Sequence, residues 1–278
     1  MAQATTTLCG SLSLHPVSMG AAMHRAGYAA LGLDYSYVPF KVTDVKGALA
    51  GMRALGIRGF GVSMPFKLEV IPELDRLDEL ASRIGAVNTI VNDGGVLTGY
   101  NTDASGAVRA LSEALPLAGQ RVCLIGAGGA ARAVAYALCA EGLDVHIVNR
   151  TLEGAQRLAT ELRDRYGWRA SSGGTADLSE LGAFSALVNA SSAGMVEYGA
   201  ASPVPAQALH RDLVVMDIVY KPLETELLAD AERVGATIVH GGRMLLYQAC
   251  RQFELYTGRP APVADMDRAL SAHIAPHL

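Results

Sequence analysis

The sequence predicts an α/β protein of two lobes, and three observations carry that expectation. Residues 121–133 read as a buried strand (Val122 to Ile125), a glycine turn (Gly126, Gly128, Gly129) and the start of a helix. The stretch before them alternates strand and helix, which fits a sheet with βα connections and an antiparallel edge. At 278 residues the chain is long for one core and comfortable for two.

The elements follow in order. Residues 5–11 read as a strand, 21–31 as a helix stopped near Gly32, and 35–40 as a second strand. Thr43 caps a helix to about Leu55, with Gly56 beyond its end. Residues 59–64 read as a third strand, and Pro65 and Phe66 start a helix after it. Residues 89–91 and 96–100 alternate across Asn92, Asp93, Gly94 and Gly95, a hairpin signal. A helix follows over 104–115, punctuated by Pro116 and Gly119. Further strands are read at 122–125, 145–148, 186–189, 213–219 and 237–239. A helix over 152–166 carries apolar residues at 152, 155, 158 and 162 on one face. A last helix over 244–256 is expected to return to the first lobe. The expected division is 1–103, completed by 241–278, and 104–240.

The second lobe is read as a Rossmann-type dinucleotide-binding domain. Its glycines permit a tight turn and close approach of a pyrophosphate, and the following helix start offers free N–H groups. The next strand, residues 144–148, ends in Asn149, Arg150 and Thr151. An acidic residue there would accept from the 2′-hydroxyl of NAD; Arg150 suits the 2′-phosphate of NADP instead.

Bulk numbers narrow the partners. Half of the residues are hydrophobic, 18% are charged and the formal net charge is −4. Nothing is basic enough for nucleic acid. No apolar run approaches the roughly 20 residues of a membrane span, and no signal peptide is read, so a cytoplasmic protein is expected. Cys9, Cys123, Cys139 and Cys250 lack metal spacing and read as reduced apolar filler. The seven histidines show no metal spacing either.

In α/β proteins ligands lie beyond the carboxyl ends of strands. Three polar segments stand there in the first lobe, bearing Lys67, Asn88 and Asp103. Reducing a ketone needs a hydride and a proton for the developing alkoxide. An ammonium beside a carboxylate orients the oxygen, stabilises its charge and passes the proton. A bland reading makes Lys67 a solvated helix-start lysine, but a cation suits a positive helix end poorly. Asp103 also reads as the N-cap of the helix from Ala104.

At these residues the chain resembles the shikimate dehydrogenase family over nearly its whole length. The segments that carry the resemblance are Val62-Ser-Met-Pro-Phe-Lys67, Val87-Asn-Thr89, Asn101-Thr-Asp103, Gly126-Ala-Gly-Gly-Ala-Ala131, Asn149-Arg-Thr151, Asn189-Ala-Ser-Ser-Ala-Gly-Met195, Asp217-Ile-Val-Tyr-Lys-Pro222 and Gly242-Arg-Met-Leu-Leu-Tyr-Gln248. The resemblance implies NADP-linked interconversion of 3-dehydroshikimate and shikimate in aromatic (chorismate) biosynthesis. It implies Lys67 as acid/base with Asp103 as partner. Ser18, Ser63, Asn88, Tyr220 and Gln248 are its implied substrate residues. Gly126, Ala127, Gly128, Gly129, Ala130, Asn149, Arg150, Thr151, Ser191, Met195, Ile218 and Gly241 are its implied cofactor residues. The partner is then a small shikimate-like hydroxy acid, with no metal, no nucleic acid and no membrane, in a monomer or homodimer.

The chain departs from the family pattern in places. The family's carboxylate-binding run of His-Ser-x-Ser-Pro falls on residues 17–21, with Ser18 as the first serine, Gly20 in place of the second and Ala21 in place of the proline. Ser63 stands where threonine is common, and Gly61 where asparagine is. Gly154 stands where a second basic residue often faces the 2′-phosphate. The segments 8–13 and 61–67 are more similar to the shikimate dehydrogenase-like subgroup. Quinate and aminoshikimate therefore stay open as substrates. A methylenetetrahydrofolate dehydrogenase would need a large aromatic platform, and the lone tryptophan, Trp168, is far from the first-lobe motifs. A nucleotide-binding regulator without turnover is the third reading.

Overall fold

The computed structural model describes residues 6–274, and the chain divides into two compact units. One comprises the residues up to Thr102 and those from Leu246 onward; the other runs from Asp103 to Leu245. Each holds a six-stranded sheet.

The first unit contains β1 (Thr7–Ser13), α1 (Met19–Ala30), β2 (Tyr35–Lys41), α2 (Val45–Ala54), β3 (Gly59–Val62), β4 (Arg76–Leu77), α3 (Glu79–Ile84), β5 (Thr89–Asp93) and β6 (Val96–Tyr100). Its strand order is β2-β1-β3-β5-β6-β4. Strands joined through helices run parallel, β1 with β2 and with β3. The β5–β6 hairpin turns on Gly94 and Gly95, both at positive φ, and is antiparallel. One sheet face buries Leu12, Phe60, Val62 and Ile90 against Val45, Leu49 and Met52 of α2. A second buried layer is aromatic: His24 and Tyr28 of α1, Tyr37 of β2, and Phe253 and Tyr256 of the late helix Gly241–Thr257. A Cβ on Gly59 would fall 2.2 Å from the Tyr256 ring, so only glycine lets strand and ring approach this closely. The last helix, Val263–Ile274, packs on α1.

The second unit contains α4 (Thr102–Ser112), β7 (Arg121–Ile125), α5 (Gly129–Ala140), β8 (Asp144–Val148), α6 (Leu152–Tyr166), β9 (Ala170–Gly173), β10 (Ala186–Asn189), β11 (Val214–Asp217), α7 (Glu226–Arg233) and β12 (Thr237–Val239). Its sheet is parallel, in the order β12-β11-β10-β7-β8-β9. The chain starts at the centre, winds outward, then crosses to fill the other half. That is the doubly wound arrangement, with its switch point beside β7. The late helix Gly241–Thr257 and the helix Val263–Ile274 are α8 and α9.

Several expectations need correction. No helix starts at Pro65. Residues 64–70 are consecutive turns, because Phe66 is drawn into the core and the Lys67 carbonyl accepts from Val87 N at 2.9 Å instead of from its own segment. The helix-dipole argument about Lys67 therefore does not apply. Asp44 caps α2 rather than Thr43, its carboxylate accepting from Gly47 N at 2.9 Å. Because α4 begins at Thr102, Asp103 sits inside its first turn and is not the cap. β1 lies two residues later than expected; Thr5, in the expected range, lies outside the described residues. In α6 the expected Leu152 is 42% exposed, and Ala159 joins Ala155, Leu158 and Leu162 in the buried stripe.

All four cysteines are buried and unbridged. Burial pushes the Cys9 thiol up to about 11 and those of Cys123 and Cys139 to about 12. Among the described residues no helix is long and apolar enough to cross a membrane.

Candidate active site

The polar residues of the first unit gather where β3 ends and β5 begins. Val62 N donates to Asn88 O at 2.7 Å, Ser63 N to Leu12 O at 3.1 Å, Val87 N to Lys67 O at 2.9 Å, and Asn88 N to Tyr100 O at 3.0 Å. Four main-chain bonds thus bring Ser63, Lys67 and Asn88 to one end of one sheet. Phe66, 4% exposed, anchors the turn that carries the half-buried Lys67.

Asn88 is the hub of this end. Its Oδ1 accepts from Thr102 N at 2.7 Å, from Thr89 Oγ1 at 2.8 Å and from Thr102 Oγ1 at 3.2 Å, while its Nδ2 donates to Thr102 Oγ1 at 3.0 Å. Its accepting capacity is filled and one N–H remains uncommitted among the described residues, so a further partner of this side chain would have to be an acceptor. Thr102 opens α4, and Asp103 is its next residue, in a first turn where the helix dipole favours a carboxylate.

Gln248 is half-buried on α8, and Gln252, one turn on, lies on the same face. Gln252 Nε2 donates to Asn88 O at 3.3 Å and to Thr89 Oγ1 at 3.0 Å. Sequence reasoning missed Gln252; its four-residue spacing from Gln248 was the available signal. Ser18 is exposed at the start of α1, and its hydroxyl, unused in capping, lies 3.0 Å from His273 Nε2. A Cβ on Gly20 would meet only the Tyr37 hydroxyl, at 3.8 Å, so there is room for a serine. On Gly61 it would meet that hydroxyl at 3.1 Å and Gln252 Nε2 at 3.3 Å, so Tyr37 and Gln252 already fill the space of a larger residue.

In the second unit the glycines behave differently from one another. Gly126 has φ +113°, and its Cβ would fall 3.1 Å from Ala190 O, so backbone shape and packing both require glycine. Gly128 and Gly129 are exposed, with no atom within 4 Å of where a Cβ would stand. Gly128 caps α5 without a side chain, and the first helical bond is Arg132 N to Gly128 O. The N–H groups just inside α5 have no acceptor within the helix, and the space before them is clear. Ala127 and Ala130 bring no bulk to it. These residues fit a dinucleotide pyrophosphate.

Beyond β8, Asn149 Nδ2 donates to both Thr151 O and Thr151 Oγ1 at 2.9 Å, which fixes the turn, and Arg150 is exposed. A Cβ on Gly154 would lie 2.9 Å from Asn149 Nδ2, so the asparagine occupies the room a larger residue needs. At the ends of β10 and β11 the buried Asp217 accepts from Asn189 Nδ2, Val219 N and Thr225 Oγ1. Desolvation raises its carboxyl above the usual range against those three donors. Ser191 donates its hydroxyl to Asn189 Oδ1 at 2.7 Å and accepts from Ala193 N. Its side chain is thus committed to shaping the loop that holds Met195. Ile218 N donates to Asn189 O at 3.0 Å, and a Cβ on Gly241 would fall 2.6 Å from Ile218 O, so α8 starts hard against that backbone. Tyr220 is 38% exposed and is not a core residue.

A doubly wound sheet with this glycine turn, followed by an arginine beyond its second strand, belongs to the class of dinucleotide-dependent oxidoreductases. Family models for the shikimate dehydrogenase substrate binding domain, for shikimate/quinate 5-dehydrogenase and for the shikimate 5′-dehydrogenase C-terminal domain match residues 15–90, 109–182 and 241–270. The NADP-dependent shikimate dehydrogenase of Haloarcula marismortui is 50% identical over 261 residues, covering 92% of this chain and 95% of that one. A crystal structure of a shikimate dehydrogenase in complex with NADP+ is 38% identical with a TM-score of 0.90, covering 99% of this chain and 98% of that one. The Listeria monocytogenes shikimate 5-dehydrogenase in complex with shikimate and NAD is 35% identical with a TM-score of 0.89, over 97% and 99% of the two chains. The chain belongs to the shikimate dehydrogenase family.

Proposed function

We propose that the chain interconverts shikimate and 3-dehydroshikimate with NADP, the first unit holding the hydroxy acid and the second the dinucleotide. The observation that carries this reading is the Asn88 hub. It ties the segment of Lys67 to the first residue of α4, directly before Asp103. When bound, NADP supplies the hydride acceptor or donor. Lys67, held in its turn by Phe66 and Val87, keeps a cation at the reacting oxygen and moves the proton. Asp103 holds that ammonium in place and balances its charge. Asn88 donates one N–H to a substrate hydroxyl, Ser63 and Gln248 take neighbouring oxygens, Ser18 faces the carboxylate, and Tyr220 is a further substrate residue. Arg150 binds the 2′-phosphate, and the N–H groups of α5 the pyrophosphate. Free cysteines fit a reducing, cytoplasmic compartment.

The test is the initial rate of NADP+ reduction with shikimate, quinate and aminoshikimate. Shikimate turnover that Lys67→Ala lowers by about 10²- to 10⁴-fold, with NADP+ still bound, is expected. A Lys67→Ala protein as fast as wild type removes the assignment. Turnover of quinate or aminoshikimate but not shikimate moves it within the family.

A further inference from the structure

The side-chain bonds behind Asn88 have a direction, and two main-chain groups set it. Asn88 Oδ1 faces Thr102 N–H at 2.7 Å, an obligate donor, so the oxygen of that amide must be on this side. Gln252 faces the Asn88 carbonyl at 3.3 Å, an obligate acceptor, so its Nε2 must be on that side. Gln252 Nε2 also donates to Thr89 Oγ1 at 3.0 Å, and the Thr89 hydroxyl in turn donates a hydrogen bond to Asn88 Oδ1 at 2.8 Å. Gln252 Oε1 then points at His24 Nε2, 3.4 Å away, so His24 carries its proton on Nε2. The chain of donation runs His24, Gln252, Thr89, Asn88, across α1, α8 and β5. Every member is buried: His24 and Thr89 fully, Asn88 to 3% and Gln252 to 5% exposure.

We infer that Gln252 is a positioning residue for the substrate: with His24 and Thr89 it holds the Asn88 amide so that its one uncommitted N–H meets a hydroxyl of the hydroxy acid. This rests on the function proposed above. Burial lowers the His24 pKa to about 4, so the ring is neutral at ordinary pH and the direction does not reverse with pH near neutrality. His24 also stacks on Tyr37, at 4.3 Å between centroids and 8° between planes, which fixes the ring's plane.

Three variants test this: Gln252→Met, which keeps volume but loses the amide; Thr89→Val, which keeps shape but loses the hydroxyl; and Thr89→Ser, which keeps the hydroxyl but loses a buried methyl. KM for shikimate, KM for NADP+, kcat and Tm are measured on each. Gln252→Met and Thr89→Val are expected to raise the shikimate KM about tenfold with the NADP+ KM unmoved, the loss of one hydrogen bond. Thr89→Ser is expected to keep a near-wild-type KM although it loses the methyl. A role in packing alone predicts the opposite order, with serine the worse variant; that result, or equal shifts in both KM values, overturns the inference. Histidine-selective ¹⁵N NMR reads the chain without turnover. His24 protonated on Nδ1 in the wild type breaks it whatever the substrate. Wild type inert to shikimate, with His24 protonated on Nε2, supports the chain and overturns only the substrate assignment.

Discussion

The two sheets present their ligand-facing ends by different means. In the second unit the end of β7 is made of backbone: Gly126 turns, Gly128 and Gly129 leave space, and the first N–H groups of α5 have no acceptor within the helix. In the first unit the end of β3 is made of groups drawn from β5, α8 and the start of α4, meeting at Asn88, with His24 of α1 behind Gln252. A backbone cradle depends on a few glycines close together in sequence. A side-chain hub depends on residues up to 164 positions apart, as Asn88 and Gln252 are. The first is robust to most changes elsewhere; the second is adjustable, because each member tunes its neighbours.

The largest expected effect tests the charged part of the backbone cradle. Arg150→Ala should weaken NADP+ by about ten- to hundredfold and leave NAD+ nearly unchanged, the loss of a charge-assisted bond. Equal weakening of both cofactors in a titration would remove Arg150 from the 2′-phosphate. Next comes a paired substitution within the turn. Gly128→Ala adds a methyl to open space at φ −80°, so Tm should hold while NADP+ affinity falls about tenfold. Gly126→Ala forces a side chain to φ +113° and should cost about 1–3 kcal/mol of stability by denaturant unfolding. Similar outcomes for the two glycines would end the distinction between shape and access. On the side-chain end, Gly20→Ser has room to be accepted and should lower the shikimate KM, by up to about tenfold. An unchanged KM would mean that the carboxylate lies away from α1.

The smallest effect is on stability. Glu161 takes a bidentate pair of bonds from Arg132 at 2.6 and 2.7 Å and one from the Tyr136 hydroxyl at 2.6 Å. The Arg132 guanidinium, above all, holds its carboxyl down from 4.5 to about 2. The folded state therefore keeps the charged form, and the stability this gives is present above pH 4.5 and is lost as pH falls toward about 2. Melting curves across that range should show a shallower decline in Glu161→Gln; an identical decline would place the acid-sensitive group elsewhere.

The same contrast explains what the sequence let one read. The inner strands of the second sheet are buried on both faces, so β10 is legible to the residue, while β12, an edge strand with Thr237 exposed, is legible from its β-branched run Thr237-Ile-Val239. Its edge strand β9 was not, because Ala170-Ser-Ser-Gly173 has no apolar alternation and is a strand only by pairing with β8. In the first unit Pro65 gave a helix-start signal that tertiary bonds override: the Lys67 carbonyl serves Val87, twenty residues on. Lys67, Asn88 and Asp103 were nameable because strand ends point to them and a family motif covers them. His24 and Gln252 were not, since a histidine and a glutamine on amphipathic helices look like many others until the fold buries them together.

The sealed thiols have a consequence for following this chain in motion. Cys9 and Cys250 belong to the first unit, Cys123 and Cys139 to the second, and all four are buried. A thiol-reactive probe therefore labels only molecules that have opened, and mass spectrometry of the labelled peptides tells which unit did. Nature has supplied a pair of silent reporters in each half, and the opening of either can be timed on the unmodified protein.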